Sequence, residues 1–299
     1  MKQILIEADV RDQKKFASLL QISLHEFEIL TDYSCCDPSC LEYVVFWRRF
    51  PIYINEIINL KALLVCGSGI DHLEIPKNLA SNIPLIRLVD PVLKLNVAEY
   101  VENQLRNLDQ LTNKQTSPDI KPIIGILGRG QIGIFLEQYF NERYYEVRTW
   151  SKHSRNQNAK LNFFGIENLD RFLKGVEVLI CALPLTNETR NILDSQLFAK
   201  LDNNCYLINI GRGGHLNEQA LVDALDGGKI LGASLDLIEP LSIIDSLSDH
   251  QRKNLRLTVT PHIAGYISAE TQAPEAIKQI LNLESGCLPN TLVNFNLSY

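Results

Sequence analysis

Three short segments late in the chain each end an apolar run on a residue that can hold an anion or move a proton. Asn209-Ile210-Gly211-Arg212-Gly213-Gly214 presents an arginine. Leu235-Asp236-Leu237-Ile238-Glu239-Pro240 presents a glutamate, and Thr260-Pro261-His262-Ile263-Ala264-Gly265 presents a histidine. A guanidinium is a planar fork of donors suited to carboxylates and polarised oxygens. An imidazole exchanges protons near neutral pH, and a carboxylate beside it fixes its orientation. Singly, each has a plain reading as a surface Arg, a surface Glu or a satisfied core His. At the ends of neighbouring strands they could meet, and together they specify reduction of a carbonyl group.

A hydride source is implied upstream by Ile-Ile-Gly-Ile-Leu-Gly-Arg-Gly-Gln-Ile-Gly at 123–133. The apolar start fits a strand buried on both faces. Gly128, Gly130 and Gly133 follow as G-x-G-x-x-G, with Arg129, Gln131 and Ile132 between them. Ile132, Phe135, Leu136, Tyr139 and Phe140 then repeat with helical period. Glycines on a strand-to-helix turn allow a tight bend, close approach of backbone to a pyrophosphate and close helix packing. The free N–H groups at the helix start face the anion. Arg129 is a further candidate to face the phosphates.

The second strand of this unit, at 146–150, distinguishes the cofactor. A dinucleotide fold that prefers NAD places Asp or Glu at its end, where it binds the ribose hydroxyl. Here Ser151-Lys152-His153-Ser154-Arg155 follows instead. A 2′-phosphate suits the hydroxyl of Ser151 and the cations of Lys152 and Arg155. The alternative is an ordinary solvated turn. The expectation is NADP(H), with NAD(H) as the second choice and no metal.

These residues need a frame of strands. The spans 4–6, 43–47, 62–66 and 85–89 read as strands with helical stretches between them, which indicates a small parallel α/β domain. The strand at 62–66 runs into Gly67-Ser68-Gly69, whose N–H groups suit a small carboxylate or simply make a strand-to-helix turn; the pattern leaves both open. Residues 97–111 read as a helix and 112–122, with two prolines, as a linker. Strands at 123–127, 146–150, 176–183, 205–210, 230–236 and 255–260 complete a six-stranded dinucleotide-binding sheet. Helices are expected near 194–200, 217–226 and 269–284. The fold class is α/β: a flavodoxin-like substrate domain and a Rossmann domain, both doubly wound, with a cleft between them.

Composition narrows the partners. Of 299 residues, 45% are hydrophobic and 21% charged, with a net charge of −6. The absence of basic runs argues against nucleic acid or an anionic membrane surface. No apolar stretch reaches the ~18 residues of a membrane span, and acidic residues come too early for a secretory signal. A cytoplasmic location is expected, with the seven cysteines reduced. Cys35, Cys36 and Cys40 read as a polar loop with incidental thiols.

Taken together, G-I-L-G-R-G-Q-I-G, C-A-L-P-L-T-N-E-T, N-I-G-R-G-G, L-D-L-I-E-P and T-P-H-I-A-G resemble the D-isomer-specific 2-hydroxyacid dehydrogenase family over nearly the whole chain. V-V-F-W, K-A-L-L-V-C-G-S-G-I-D, P-L-I-R-L-V-D and the W-S-K turn are similar to its NADPH-using glyoxylate/hydroxypyruvate reductase A branch. The resemblance implies reduction of a small 2-ketoacid. Arg212 would hold the substrate carboxylate and carbonyl oxygen, and His262 would protonate that oxygen. Glu239 would hydrogen-bond His262, orient it and raise its pKa. Backbone around Gly67, Ser68 and Gly69 would cradle the carboxylate, and Trp47 would wall the pocket or else sit in the core. Asp236 would receive the nicotinamide carboxamide, and Leu183, Pro184, Thr189, Ile210 and Gly211 would border the cofactor. The resemblance divides the chain into 1–96 for substrate, 97–266 for dinucleotide and 267–299 returning to the substrate domain. It implies a homodimer. Two other readings keep the fold: a dehydrogenase for a bulkier 2-ketoacid, and a dinucleotide-sensing, corepressor-like binding protein. The chain departs from the family in the short D-L-I-E-P spacing, the short segment before Ile123, and Lys94 and Asn96.

Overall fold

A computed structural model describes residues 1–67, 69–70, 73, 83–90, 92–112, 121–152, 161–287 and 291–293. The chain forms two compact units, Met1–Leu93 with Ile267–Tyr299, and Lys94–Tyr266. The expected linker falls mainly on 113–120, outside the described residues.

The first unit is built on β1 (Lys2–Ile6), α1 (Gln13–Ser23), β2 (Phe27–Leu30), β3 (Leu41–Phe46), β4 (Ala62–Cys66) and β5 (Leu85–Leu88). The strands are parallel, in the order β2-β1-β3-β4-β5. Both faces of this sheet are covered, so its strands are apolar runs without alternation. On β3, Tyr43 and Val45 enter one core with Phe16 and Leu20 of α1, while Leu41, Val44 and Phe46 enter the other with Ile54 and Val65.

The second unit contains most of α2 (Leu93–Thr112), then β6 (Ile124–Leu127), α3 (Gln131–Asn141), β7 (Val147–Ser151) and β8 (Asn162–Phe164). It continues through α4 (Leu169–Leu173), β9 (Val178–Cys181), α5 (Ser195–Lys200), β10 (Cys205–Asn209), α6 (Glu218–Asp226), β11 (Ile230–Asp236), α7 (Asp249–Asn254) and β12 (Leu257–Thr260). The seven parallel strands lie in the order β12-β11-β10-β9-β6-β7-β8. The chain moves outward from β6 to β8, then returns to β9 on the other side. The direction of winding therefore reverses between β6 and β9, where open α/β sheets bind ligands. The seventh strand is β8, a three-residue edge strand that no apolar run announces. Asp194 and Asn217 cap α5 and α6 by accepting from Leu197 N and Ala220 N.

Helix α2 buries Val97, Ala98, Val101, Leu105 and Leu108. It also carries a buried polar seam. Ser234 on β11 donates to the Gln104 side-chain oxygen at 2.7 Å. A hydroxyl has one proton, so Tyr206 of β10, 2.8 Å from Ser234 Oγ, must be the donor in that second bond.

The last helix, α8 (Ala269–Glu284), belongs to the first unit and lays Ala269, Ala273, Ala276 and Ile280 into the core that α1 covers. Its final residue is a staple: Glu284 accepts from Lys2, from Tyr43 Oη at 2.6 Å and from Lys61 Nζ at 2.7 Å. Burial opposes the Glu284 charge, but these three donors bring its pKa down to about 2. Among the described residues no helix is long and apolar enough to cross a membrane.

A folded-state carboxylate pKa below the unfolded value stabilises at neutral pH, and that contribution disappears as pH falls through the folded value. Glu284→Gln should therefore lower the stability of the first unit by about 1–3 kcal/mol at pH 7. The difference from wild type should shrink as pH falls from 4.5 toward 2. Urea unfolding followed at neutral and acid pH measures it.

Candidate active site

The glycine turn lies at the reversal point. Gly128 follows β6 with φ +110°, a conformation L side chains rarely adopt, and a Cβ there would lie 2.6 Å from the Ala182 carbonyl oxygen. A Cβ on Gly133 would lie 2.0 Å from the Gly128 carbonyl oxygen, so the first turn of α3 can sit against the strand end only as glycine. A Cβ on Gly130 would meet nothing within 4 Å. Gly130 also caps α3 without a side-chain hydrogen bond, leaving the N–H groups of that turn to an outside acceptor. Gln131 and Ile132 open the helix. These features fit a dinucleotide pyrophosphate. Arg129 turns back onto α3, with Nη2 3.3 Å from Glu137 Oε2, and the Asn162 amide oxygen accepts from it at 2.9 Å.

Ser151 ends β7, and no carboxylate replaces it. Lys152 forms an exposed ion pair with Glu188 at 2.5 Å, so a phosphate there competes with a carboxylate for this cation. Arg155 lies outside the described residues. After β9, Leu183 is buried and Pro184 exposed. Thr189 is buried, with its hydroxyl donating to the Pro184 carbonyl at 2.7 Å and accepting from Thr186 N at 2.8 Å. It shapes this loop from within.

Arg212 emerges after β10, past Ile210 and Gly211. Its backbone N–H donates to His215 Nδ1 at 3.0 Å, and Gly211 N donates to Asn209 Oδ1 at 3.0 Å. Gly211 is glycine because a Cβ would stand 2.8 Å from the His215 ring. The buried His215 thus positions Arg212. Its one signal in the sequence is a histidine three residues beyond the arginine.

Asp236 ends β11 with no exposed surface. Its Oδ1 accepts from Thr260 Oγ1 at 2.6 Å and Ile263 N at 2.7 Å, and its Oδ2 accepts from Ala264 N at 2.7 Å. The carboxylate expected to face a carboxamide is thus engaged by the loop after β12. That loop holds His262 at φ +56°, an uncommon conformation for a residue with a side chain. Its Nδ1 lies 3.1 Å from the Asp236 carbonyl oxygen. With Nδ1 as donor, Nε2 is the nitrogen left for chemistry, and it bonds to none of the described residues.

Glu239 differs from expectation. It makes no hydrogen bond to His262; its Oε2 accepts from Gly213 N at 3.0 Å. With only two residues between Asp236 and Glu239, the carboxylate lands on the arginine loop. The His262 pKa also runs opposite to expectation. Burial pushes it below the ordinary imidazole value, and the Arg212 charge adds to that. The bond to the Asp236 carbonyl and the charges of Asp236 and Glu239 oppose the shift without reversing it. Arg212, Glu239 and His262 nevertheless share one end of the sheet and one electrostatic field.

In the first unit, Trp47 follows β3 half-buried, its ring flanked by Arg11 at 4.5 Å and Arg48 at 4.0 Å. Asp9 accepts from the backbone N–H groups of Trp47, Arg48 and Arg49 and fixes this turn. Gly67 has φ +113°. Gly69 is partly exposed. Ser68 lies outside the described residues.

The model of the family described as D-isomer specific 2-hydroxyacid dehydrogenase, NAD binding domain, matches residues 98–264. The glyoxylate/hydroxypyruvate reductase A of Photorhabdus laumondii is 34% identical over 283 residues, covering 88% of this chain and 89% of that protein. A D-isomer specific 2-hydroxyacid dehydrogenase of Xanthobacter autotrophicus Py2, solved with NADPH and MES, superposes with TM-score 0.81 at 25% identity over 100% of this chain and 99% of that one. An NADPH-dependent glyoxylate/hydroxypyruvate reductase of Sinorhizobium meliloti, solved with NADP and sulfate, gives 0.77 at 26% identity over 100% of both chains.

Two glycine substitutions separate packing from ligand approach. Gly133→Ala should lower the melting temperature and dinucleotide affinity together, since its Cβ overlaps backbone. Gly130→Ala should leave the melting temperature unchanged yet weaken dinucleotide binding by about tenfold, roughly 1.4 kcal/mol. Thermal melts and fluorescence titration give both quantities.

Proposed function

Because the chain belongs to the D-isomer-specific 2-hydroxyacid dehydrogenase family, we propose that it reduces a small 2-ketoacid, glyoxylate or hydroxypyruvate, to the 2-hydroxyacid with NADPH. The observation that carries this reading is the grouping of Arg212, Glu239 and His262 at the ends of β10, β11 and β12, in a chain similar to reductases of that name. NADPH, when bound, supplies the hydride. Gly128, Gly130 and Gly133 with the start of α3 hold its phosphates. Ser151, Lys152 and Arg155 receive the 2′-phosphate, and Leu183, Pro184, Ile210 and Gly211 border the rest.

Arg212 grips the substrate carboxylate and carbonyl oxygen with its donor fork. His262, fixed through Nδ1, gives the Nε2 proton to the carbonyl oxygen as it gains negative charge. Glu239 acts by holding the Gly213 N–H beside Arg212 and by its charge on His262. In the first unit, backbone of 67–69 and Trp47 serve the substrate. A homodimer belongs to the same proposal.

His262→Ala should reduce turnover by ~10²–10⁴ while NADPH still binds. In wild type, reduction requires the imidazolium, so kcat/KM should fall as pH rises through the depressed His262 pKa, below 6.5. Wild-type turnover in the variant removes His262 from the role. NADPH should outperform NADH with glyoxylate, and Ser151→Asp should swing the preference toward NADH by placing a carboxylate where a phosphate binds. Equal rates with both cofactors in wild type would overturn the assignment of Ser151 and Lys152.

A further inference from the structure

The carboxylate that holds the His262 loop is tied to helix α2. Thr260 Oγ1 donates to Asp236 Oδ1 at 2.6 Å, and Tyr100 Oη lies 2.9 Å from the same Thr260 oxygen. The Thr260 proton is committed to the carboxylate, so Tyr100 must donate. The chain Tyr100 O–H to Thr260 O–H to Asp236 therefore runs in one direction, and such chains strengthen each other in a low-dielectric interior. Burial pushes the Tyr100 phenol up to about 12, so it stays a neutral donor across the working range.

We propose that Tyr100 and Thr260 form a relay that positions His262 and tempers the negative field Asp236 exerts on it. Tyr100 is thus a positioning residue contributed by α2, and the inference rests on His262 being the proton donor. Among the described residues, the charged groups acting on His262 are Asp236 on β11, Glu239 in the loop after it and Arg212 in the loop after β10. Only Asp236 is reached by the relay. The Thr260 hydroxyl points its proton at Oδ1 and the Tyr100 hydroxyl, aligned behind it, points its own at Thr260 Oγ1, while Asp236 Oδ2 stands 3.8 Å from His262 Nδ1. Removing the dipoles strengthens the field at His262 and favours the imidazolium.

The test is an NMR titration of the His262 ring in the full-length protein, paired with pH profiles of NADPH-dependent glyoxylate reduction; His262→Gln identifies the resonance. Thr260→Val should raise the His262 pKa by several tenths of a unit and Thr260→Ser should restore it. Tyr100→Phe, which keeps the ring, should raise it by less and lower kcat by on the order of threefold, the scale of one hydrogen bond, with KM unchanged. In the Thr260→Val background, Tyr100→Phe should add nothing. Tyr206→Phe removes a buried hydroxyl from the neighbouring seam and should leave the titration unmoved. Equal effects of Tyr100→Phe in both backgrounds, a shift from Tyr206→Phe as large as that from Tyr100→Phe, or no shift from Thr260→Val would each overturn the relay. If the ring titration shifts while the activity profile does not follow, the relay stands and the proton-donor reading falls.

Discussion

The second unit turns on a carboxylate that water does not reach. An ionised group buried without partners costs several kcal/mol, and Asp236 meets that cost with a threonine hydroxyl and two backbone N–H groups from the loop after β12. The loop has to fold back over the strand end to deliver them. Folding back carries His262 into the left-handed region, which costs a residue with a side chain about 1–2 kcal/mol, and the grip on Asp236 holds it there. The backbone carbonyl of Asp236 itself meets His262 Nδ1. Position, tautomer and strain of the imidazole follow from one satisfied anion.

The other end of the site works by the opposite device. At the glycine turn, backbone approaches backbone so closely that side chains are excluded at Gly128 and Gly133, and the uncapped α3 N-terminus awaits an anion from outside. One sheet edge thus binds an internal anion with donors from a loop and offers donors from a helix to an external one. Both arrangements use backbone N–H groups, whose placement depends on the strands beneath them and not on flexible side chains. This explains why the edge is so dependent on a few glycines and one aspartate.

The strands were legible because both faces of each sheet are covered, which writes them as unbroken apolar runs. Ile230–Asp236 was read to the residue, and the spans 43–47 and 85–89 fell within a residue or two of β3 and β5. The edge strands β2 and β8 were missed for the same reason. Glu28 is exposed and Asn162, Phe163 and Phe164 are all only partly buried, so neither segment carries the apolar signal. The short helices α4 and α7 were not anticipated, although α5, no longer than α7, was.

At the site, residue types were legible and their partners were not. Arg212, Glu239 and His262 stand out because each follows an apolar run that reads as a strand, and ligands bind at the carboxyl ends of strands in an open α/β sheet. Which of them touch depends on loop lengths that change a contact by a few ångströms. Two residues between Asp236 and Glu239 suffice to send the glutamate to Gly213 and leave His262 with a carbonyl. The sign of the His262 shift was illegible for a related reason. A motif names the charges near an imidazole but not how much water surrounds it, and here burial together with Arg212 outweighs the two carboxylates. Tyr100 was hidden further still, in a helix whose apolar face reads as packing alone. Its hydroxyl matters only because the fold brings that turn of α2 against Thr260, 160 positions further along the chain.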